Sequence, residues 1–394
     1  MWQRTLIVDP GNEAAELVSA AARAEIEPIF LLTGERPAAR VDAPVLVQDR
    51  LDGDVITRLA REEGVHGIYA ASPKVWAVVA ASAARLGLPA MAPGKSEGLI
   101  VSHARQLRDH GVHCLSSWMA DDLSSVEDAA AALGLPVRVR TAGWADSPRC
   151  MLVKHRADLS LALAKVRRHS ATDRVIVQRH VEGATIRVLG FKTHAKYLAV
   201  EAVREACAED IFCVPTLNWA PDDGSEQREH LLELARQAGG VLPQGTGFLE
   251  LEFVRCDRGC LLSGIRAAAG PHPAVRRLVA RVSGTDLVEQ GLRLGAGLPP
   301  QPLHQPRCAA AICWVRSHSG VVDRVKGVER ALQCPGVCCV DMTVRVGDTL
   351  GHVADLAARD RVGYVMAEGA NPRDALDAAR RAAHQVEVVT RTTV

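Results

Sequence analysis

Along residues 1–95 the apolar positions alternate between two rhythms. Short runs at 4–8, 28–33, 44–48 and 67–71 read as buried strands. Between them, residues 13–24, 52–63 and 75–86 carry apolar side chains at helical spacing, the last segment stopping at Gly87. Strand–helix alternation of this kind implies a parallel sheet with right-handed crossovers. Residues 1–95 are therefore expected to form a small Rossmann-like domain. The turn Asp9-Pro10-Gly11-Asn12 could offer helix N–H groups to an anion. It lacks G-x-G-x-x-G, so it is no dinucleotide fingerprint, and a plain strand-to-helix turn is the commoner use of such residues.

From residue 96 the rhythm is less regular, as in an α+β unit with antiparallel sheets. A helix running into a strand near Val112 is followed by a helix over 121–133, with Asp121 or Asp122 as its cap and Gly134 as its stop. Strands at 136–141 and 151–154 flank a loop, 142–150. A helix over 157–169 leads to strands at 174–180, 186–191 and 195–201. A helix over 226–239 then precedes a hairpin of 247–255 with 260–265. Residues 299–306 hold four prolines and read as a linker. Beyond it, strands at 309–316, 337–344 and 361–368, a helix over 372–384 capped by Asn371, and a strand at 386–389 make an α/β tail. The predicted units are 1–95, 96–300 and 307–394.

Composition narrows the function classes. At 394 residues the chain exceeds one compact core. Its net charge is +1, with Lys and Arg spread evenly and aromatics at only 4%. No basic stripe with interleaved aromatics exists, which argues against nucleic acid as a partner. The N-terminus does not read as a signal peptide, and no stretch approaches the ~20 apolar residues of a membrane span. A cytoplasmic protein is expected. The eleven cysteines are odd in number and scattered, so no disulfide framework is implied. Cys256 and Cys260 stand in CxxxC spacing, and Cys334, Cys338 and Cys339 cluster. Zinc prefers four ligands with CxxC spacing, and buried reduced thiols suit these residues better.

Five strings, in order, carry a family likeness. Leu133-Gly134-Leu135-Pro136-Val137-Arg138-Val139-Arg140 resembles the LGxPVVVK strand of ATP-grasp enzymes. Val175-Ile176-Val177-Gln178-Arg179-His180-Val181-Glu182-Gly183 resembles their hinge strand. Gly247-Phe248-Leu249-Glu250-Leu251-Glu252-Phe253 is similar to the first metal-binding strand. Ser283-Gly284-Thr285-Asp286-Leu287-Val288-Glu289-Gln290 resembles a helix of biotin carboxylase and its relatives. The string from Asp360 to Gly369, with the helix after it, resembles the C-terminal domain of L-amino-acid ligases. The resemblance implies an ATP-grasp fold with a Rossmann-like N-terminal domain and a small C-terminal α/β domain. It implies an ATP-dependent carboxylate–amine ligase that forms an amide through an acyl phosphate. Implied partners are ATP, Mg²⁺, and a small-molecule carboxylate and amine such as amino acids. Dimers are common among such relatives, so a homodimer is compatible with it.

The same resemblance assigns positions. Arg140 takes the place of the phosphate-contacting Lys, and a planar fork is not equivalent to an ammonium. Gln178 replaces a Glu and can accept from an exocyclic amine. Backbone groups of His180 and Val181 would read the base edge. Glu182 is retained, and otherwise reads as a solvated charge at a strand end. Thr185 stands where a ribose-holding Glu is common. Glu252 keeps the first metal position, and Glu250, two residues away, shares its strand face. Ser263 and Ile265 replace the second Glu and the Asn, a loss for an ion that wants hard oxygens. Either the two glutamates share a metal, or one pairs with an arginine such as Arg266, which also stands as the candidate catalytic cation. Ile100 occupies a second Lys position with Lys95 nearby. The loop 142–150 holds one glycine and a proline, poor material for wrapping phosphate. The alternative is therefore a catalytically degenerate member that binds a nucleotide, a metabolite or a partner subunit.

Overall fold

In the computed structural model the described residues are 2–34, 42–94, 97–142, 150–168, 170, 172–207, 215–220, 225–243, 245–268, 270–350 and 361–391. The first sheet is β1 (Gln3–Val8), β2 (Ile26–Thr33), β3 (Val45–Gln48), β4 (Gly67–Ala70) and β5 (Ala90–Met91), in the order β3-β2-β1-β4-β5. All four pairings are parallel. The central strands carry buried apolar runs, Leu6 to Val8 in β1 and Ile29 to Leu32 in β2, because helices cover both faces. Those helices are α1 (Ala14–Arg23), α2 (Gly53–Glu62) and α3 (Trp76–Leu86). The Asp52 carboxylate accepts from the N–H groups of Asp54 and Val55 and starts α2. Gly87 ends α3 at φ +66°, a conformation glycine adopts without strain.

Two short helices, α4 (Leu99–Ser102) and α5 (Ala104–Asp109), lead into a second sheet. It comprises β6 (Ser117–Ala120), β7 (Val137–Thr141), β8 (Cys150–Val153) and β9 (Val175–Arg179), antiparallel in the order β6-β9-β7-β8. The strand expected near Val112 begins later, at Ser117. Val112 is buried outside any strand, and its neighbour Cys114 makes only an isolated bridge to Leu262. Helices α6 (Leu123–Leu133) and α7 (Leu159–Arg167) back this sheet. Val137, Val139, Met151, Val153, Val175 and Val177 pack against them. Strand alternation then sends Arg138, Arg140, Ile176 and Gln178 to the opposite face.

That opposite face meets the largest sheet. Its eight strands are β10 (Ala184–Lys192), β11 (Tyr197–Cys207), β12 (Pro215–Ala220), β13 (Gly247–Cys256), β14 (Gly259–Ala268), β15 (Ala309–Arg316), β17 (Val337–Met342) and β19 (Arg361–Gly369). They run in the order β14-β13-β10-β11-β12-β15-β19-β17. The tail strands thus extend the same sheet through the β12–β15 pairing. Strands β16 (Gly320–Lys326), β18 (Thr349–Leu350) and β20 (Glu387–Arg391) form a separate three-stranded sheet.

Helices α8 (Ser225–Val241), α9 (Pro273–Ser283), α10 (Leu287–Gly295), α11 (Val328–Leu332) and α12 (Pro372–Ala383) complete the chain. A buried pair pins α8 to β11: Arg228 Nε and Nη2 donate to the Glu201 carboxylate at 2.8 and 3.1 Å. Helix α10 lies so close to β4 that a Cβ at Gly67 would sit 2.1 Å from Gly295 O. Only glycine fits there. No helix among the described residues is long and apolar enough to cross a membrane.

Candidate functional site

The site grows from the hairpin β13–β14. Glu250 and Glu252 sit two residues apart and share a face. On one side Glu252 is in register with Arg187 of β10, and on the other Glu250 is in register with Arg266 of β14. Register places each carboxylate beside a guanidinium. Arg266 Nη2 donates to Glu250 Oε2. Arg187 Nε lies 3.4 Å from Glu250 Oε1 and 3.8 Å from Glu252 Oε2.

A bulge turns this surface toward the small sheet. Glu252 pairs with Gly264 but Phe253 pairs with Leu262, leaving Ser263 as the extra residue. The Ser263 hydroxyl donates to Glu252 Oε1 at 2.8 Å. The Ser263 carbonyl leaves the ladder and accepts from Arg140 Nη1 at 2.8 Å and Gln178 Nε2 at 2.9 Å. Arg140 Nη1 also donates to Glu252 Oε1 at 3.2 Å. Gln178, fully buried, gives its Nε2–H to Ser117 Oγ at 2.8 Å as well. The two sheets are therefore hydrogen-bonded to each other across the cleft. Gly264 leaves room for this, since a Cβ there would meet Arg140 Nη2 at 3.0 Å.

These contacts set the charge state. Burial pushes the Glu252 carboxyl up, but Arg140, Arg187 and the Ser263 hydroxyl outweigh it and hold it at about 2. Arg187 is itself anchored from behind. Its Nη2 donates to Glu205 Oε1 at 2.8 Å, and Asn218 Nδ2 donates to Glu205 Oε2 at 3.3 Å. Trp314 Nε1 donates to Asn218 Oδ1 at 2.7 Å. This relay runs from the site into the tail, where Trp314 packs edge-on against His272 and Tyr364.

The other end of the cleft is the strand exit after β9. His180 N–H donates to Pro136 O at 3.2 Å, so only part of its backbone is left to read a base edge. Burial and the neighbouring Arg138 push its imidazole below the usual value, and Nδ1 is buried without a partner. Val181 is half-buried and Glu182 exposed. Thr185, two residues before Arg187 on β10, is in register with Glu205 and Val254. Two polar atoms of the inner cleft also lack partners: Gln178 Oε1, an acceptor, and Arg266 Nε, a donor.

Of the residues singled out in the sequence, Arg140, Gln178, Glu250, Glu252 and Arg266 converge on one hub, while His180, Val181 and Glu182 stand at the cleft's other end. Ile100 is buried in α4 among apolar neighbours. Lys95 and residues 143–149 of the loop lie outside the described residues. The sequence reading missed Arg187, Glu205, Asn218 and Trp314. A charged residue centred in the apolar run of β10 was the available signal for Arg187. Among the described residues the cysteines are free thiols, and no three His, Cys, Asp or Glu side chains gather as metal ligands.

Comparison with solved structures decides the architecture. The L-amino acid ligase of Bacillus licheniformis superposes with a TM-score of 0.82 over 99% of both chains, at 14% identity. The chain has the ATP-grasp fold. Carboxyaminoimidazole ribonucleotide synthase of Aspergillus clavatus, solved with ATP, matches this ATP-grasp chain at TM-score 0.72 and 14% identity, covering 98% of this chain and 99% of that one. The biotin carboxylase domain of Hydrogenobacter thermophilus 2-oxoglutarate carboxylase, a dimer solved with MgADP, matches at 0.70 and 14%, covering 99% and 91%. Residues 314–391 match the family model of L-amino acid ligase C-terminal domain 2. An uncharacterized protein, y4rH, of Sinorhizobium fredii (strain NBRC 101917 / NGR234) is 24% identical over 97% of this chain and 82% of its own length.

The ATP-grasp fold implies magnesium, and the residues present do not fit it. Magnesium takes near-octahedral oxygen ligands, whereas Glu252 is closed by Arg140 and Ser263 and Glu250 by Arg266. Ser263 and Ile265 add no anionic oxygen. A dication about 4 Å from a single guanidinium is opposed by roughly 8 kcal/mol at an effective dielectric of ~20. Three guanidiniums surround this face.

Proposed function

We propose that the chain is a ligase-derived ATP-grasp protein that binds an adenine nucleotide between its two antiparallel sheets, without the metal-dependent step that makes an acyl phosphate. The observation carrying this reading is the closure of Glu252 by Arg140 and Ser263, which removes the oxygen around which such a step is organised. Support for a nucleotide comes from the buried, unpartnered Gln178 Oε1, an acceptor suited to an exocyclic amine. The base would lie at His180 and Val181, the ribose toward Glu182 and Thr185, and the phosphates toward Arg140. The test is calorimetric titration of the full chain with ATP and ADP, paired with an assay of ADP release over a panel of amino acids and amines with Mg²⁺ or Mn²⁺. Nucleotide binding with ADP release at background is expected. Saturable, substrate-dependent ADP release would replace this reading.

One observation favours that second reading, an active carboxylate–amine ligase: the superposition on an L-amino acid ligase spans both chains end to end. In it Arg266 would be the cation facing the transferring phosphate, and a small carboxylate and an amine would be the substrates.

A further inference from the structure

The hub's polar inventory indicates the form in which a nucleotide is held. Three guanidiniums, Arg140, Arg187 and Arg266, face three carboxylates, Glu205, Glu250 and Glu252. Every one of those carboxylates is engaged by at least one arginine. Among the described residues of the hub no carboxylate is left unpaired for a cation, and the one unpartnered acceptor, Gln178 Oε1, is an uncharged amide oxygen.

The guanidiniums are in a different position. Each carries five N–H donors. The cleft contacts of Arg140 all come from Nη1, and that of Arg266 comes from Nη2. Arg266 Nε is buried without a partner. The hub thus has donors to spare on the wall where phosphates would lie, and a surplus of donors suits an anion.

We infer that this chain takes its nucleotide as the metal-free anion, with Arg140 and Arg266 holding the phosphates in place of a divalent cation. The inference rests on the reading that the cleft binds a nucleotide. It deepens that reading by naming the ionic form of the ligand and the groups that meet it.

The test compares ADP titrations of the full chain in EDTA and in excess magnesium chloride. Equal or tighter binding in EDTA is expected, because chelated ADP carries less negative charge to the arginines. Binding tightened by magnesium more than roughly threefold, beyond the scatter of such titrations, overturns the inference. Arg266→Gln sharpens it: ADP affinity should fall about tenfold while adenosine affinity stays the same, since only the phosphates meet the guanidinium. An unchanged ADP affinity in that variant overturns the assignment of Arg266. If the wild-type chain binds ADP in neither condition, the nucleotide reading itself fails and this inference falls with it. The wild-type comparison alone decides the matter should the variant not fold.

Discussion

The two ends of the cleft are built on opposite terms. At the inner end, Arg140, Gln178, Arg187, Glu250, Glu252, Ser263 and Arg266 form a hydrogen-bonded hub that joins one sheet to the other. At the outer end, around His180 and Glu182, side chains are exposed or carry unpartnered atoms. One end commits its charges to internal structure, and the other presents its groups outward. Charges on one wall of a cleft can thus be committed to holding the fold together while those at its other end stay available.

That contrast is easiest to break at Arg140. Replacing it with Ala strips Glu252 of its closest guanidinium and breaks the cross-sheet bond to Ser263. A loss of about 3–5 kcal/mol in denaturant unfolding is expected, with nucleotide affinity lost as well. A cost below about 1 kcal/mol would mean that the hub is not structural. The pH dependence of stability gives the next effect. Glu252 is depressed from the usual 4.5 to about 2. Its stabilisation is complete above about pH 4.5 and disappears as the pH falls toward 2, roughly 3 kcal/mol in all. In Glu252→Gln this part of the acid profile should be absent, and an unchanged profile would place the acid-sensitive group elsewhere.

Trp314→Phe keeps an aromatic ring, though a smaller one, and removes the donor to buried Asn218. About 1–3 kcal/mol should be lost, and an unfolding midpoint unchanged from wild type would show that the relay from the tail is idle. The smallest effect belongs to the open end. Glu182→Gln should leave stability within about 0.5 kcal/mol while weakening nucleotide affinity. A stability loss as large as that of Arg140→Ala would erase the contrast between the two ends.

How far the sequence showed this in advance differs by region. Four strands and three helices of the N-terminal unit were legible because β1 ends in Leu6-Ile7-Val8, β4 is apolar, Asp52 caps α2 and Gly87 stops α3, whereas the two-residue strand β5 was not read. Strand β12, strand β16 and helix α9 were not. Helix α9 keeps a regular apolar stripe, Ala274, Leu278, Val279 and Val282, interrupted only by the buried Arg276, and it went unread behind Pro271 and Pro273. The strands β12 and β16 take their place from pairing with β15 and with β20, partners distant in the chain. At the site, Glu250 and Glu252 were legible as a same-face pair, and Arg266 as a partner. The closure of Glu252 was not, because Arg140 comes from another sheet and the bulge at Ser263 is visible only in the paired register.

The shared eight-stranded sheet changes what the proline-rich stretch before β15 means for anyone dissecting this protein. On paper, residues 299–306 look like a seam where the tail could be removed or exchanged. A cut there would strip β15 from β12 and leave a raw strand edge, the surface through which sheets recruit foreign chains. It would also take the indole N–H from Asn218, three steps from Arg187, so the truncated piece would lose the backing of its own cleft. The tail behaves as the outer boards of one plank floor, and a chimera that borrows another protein's tail must bring a strand and an indole that match.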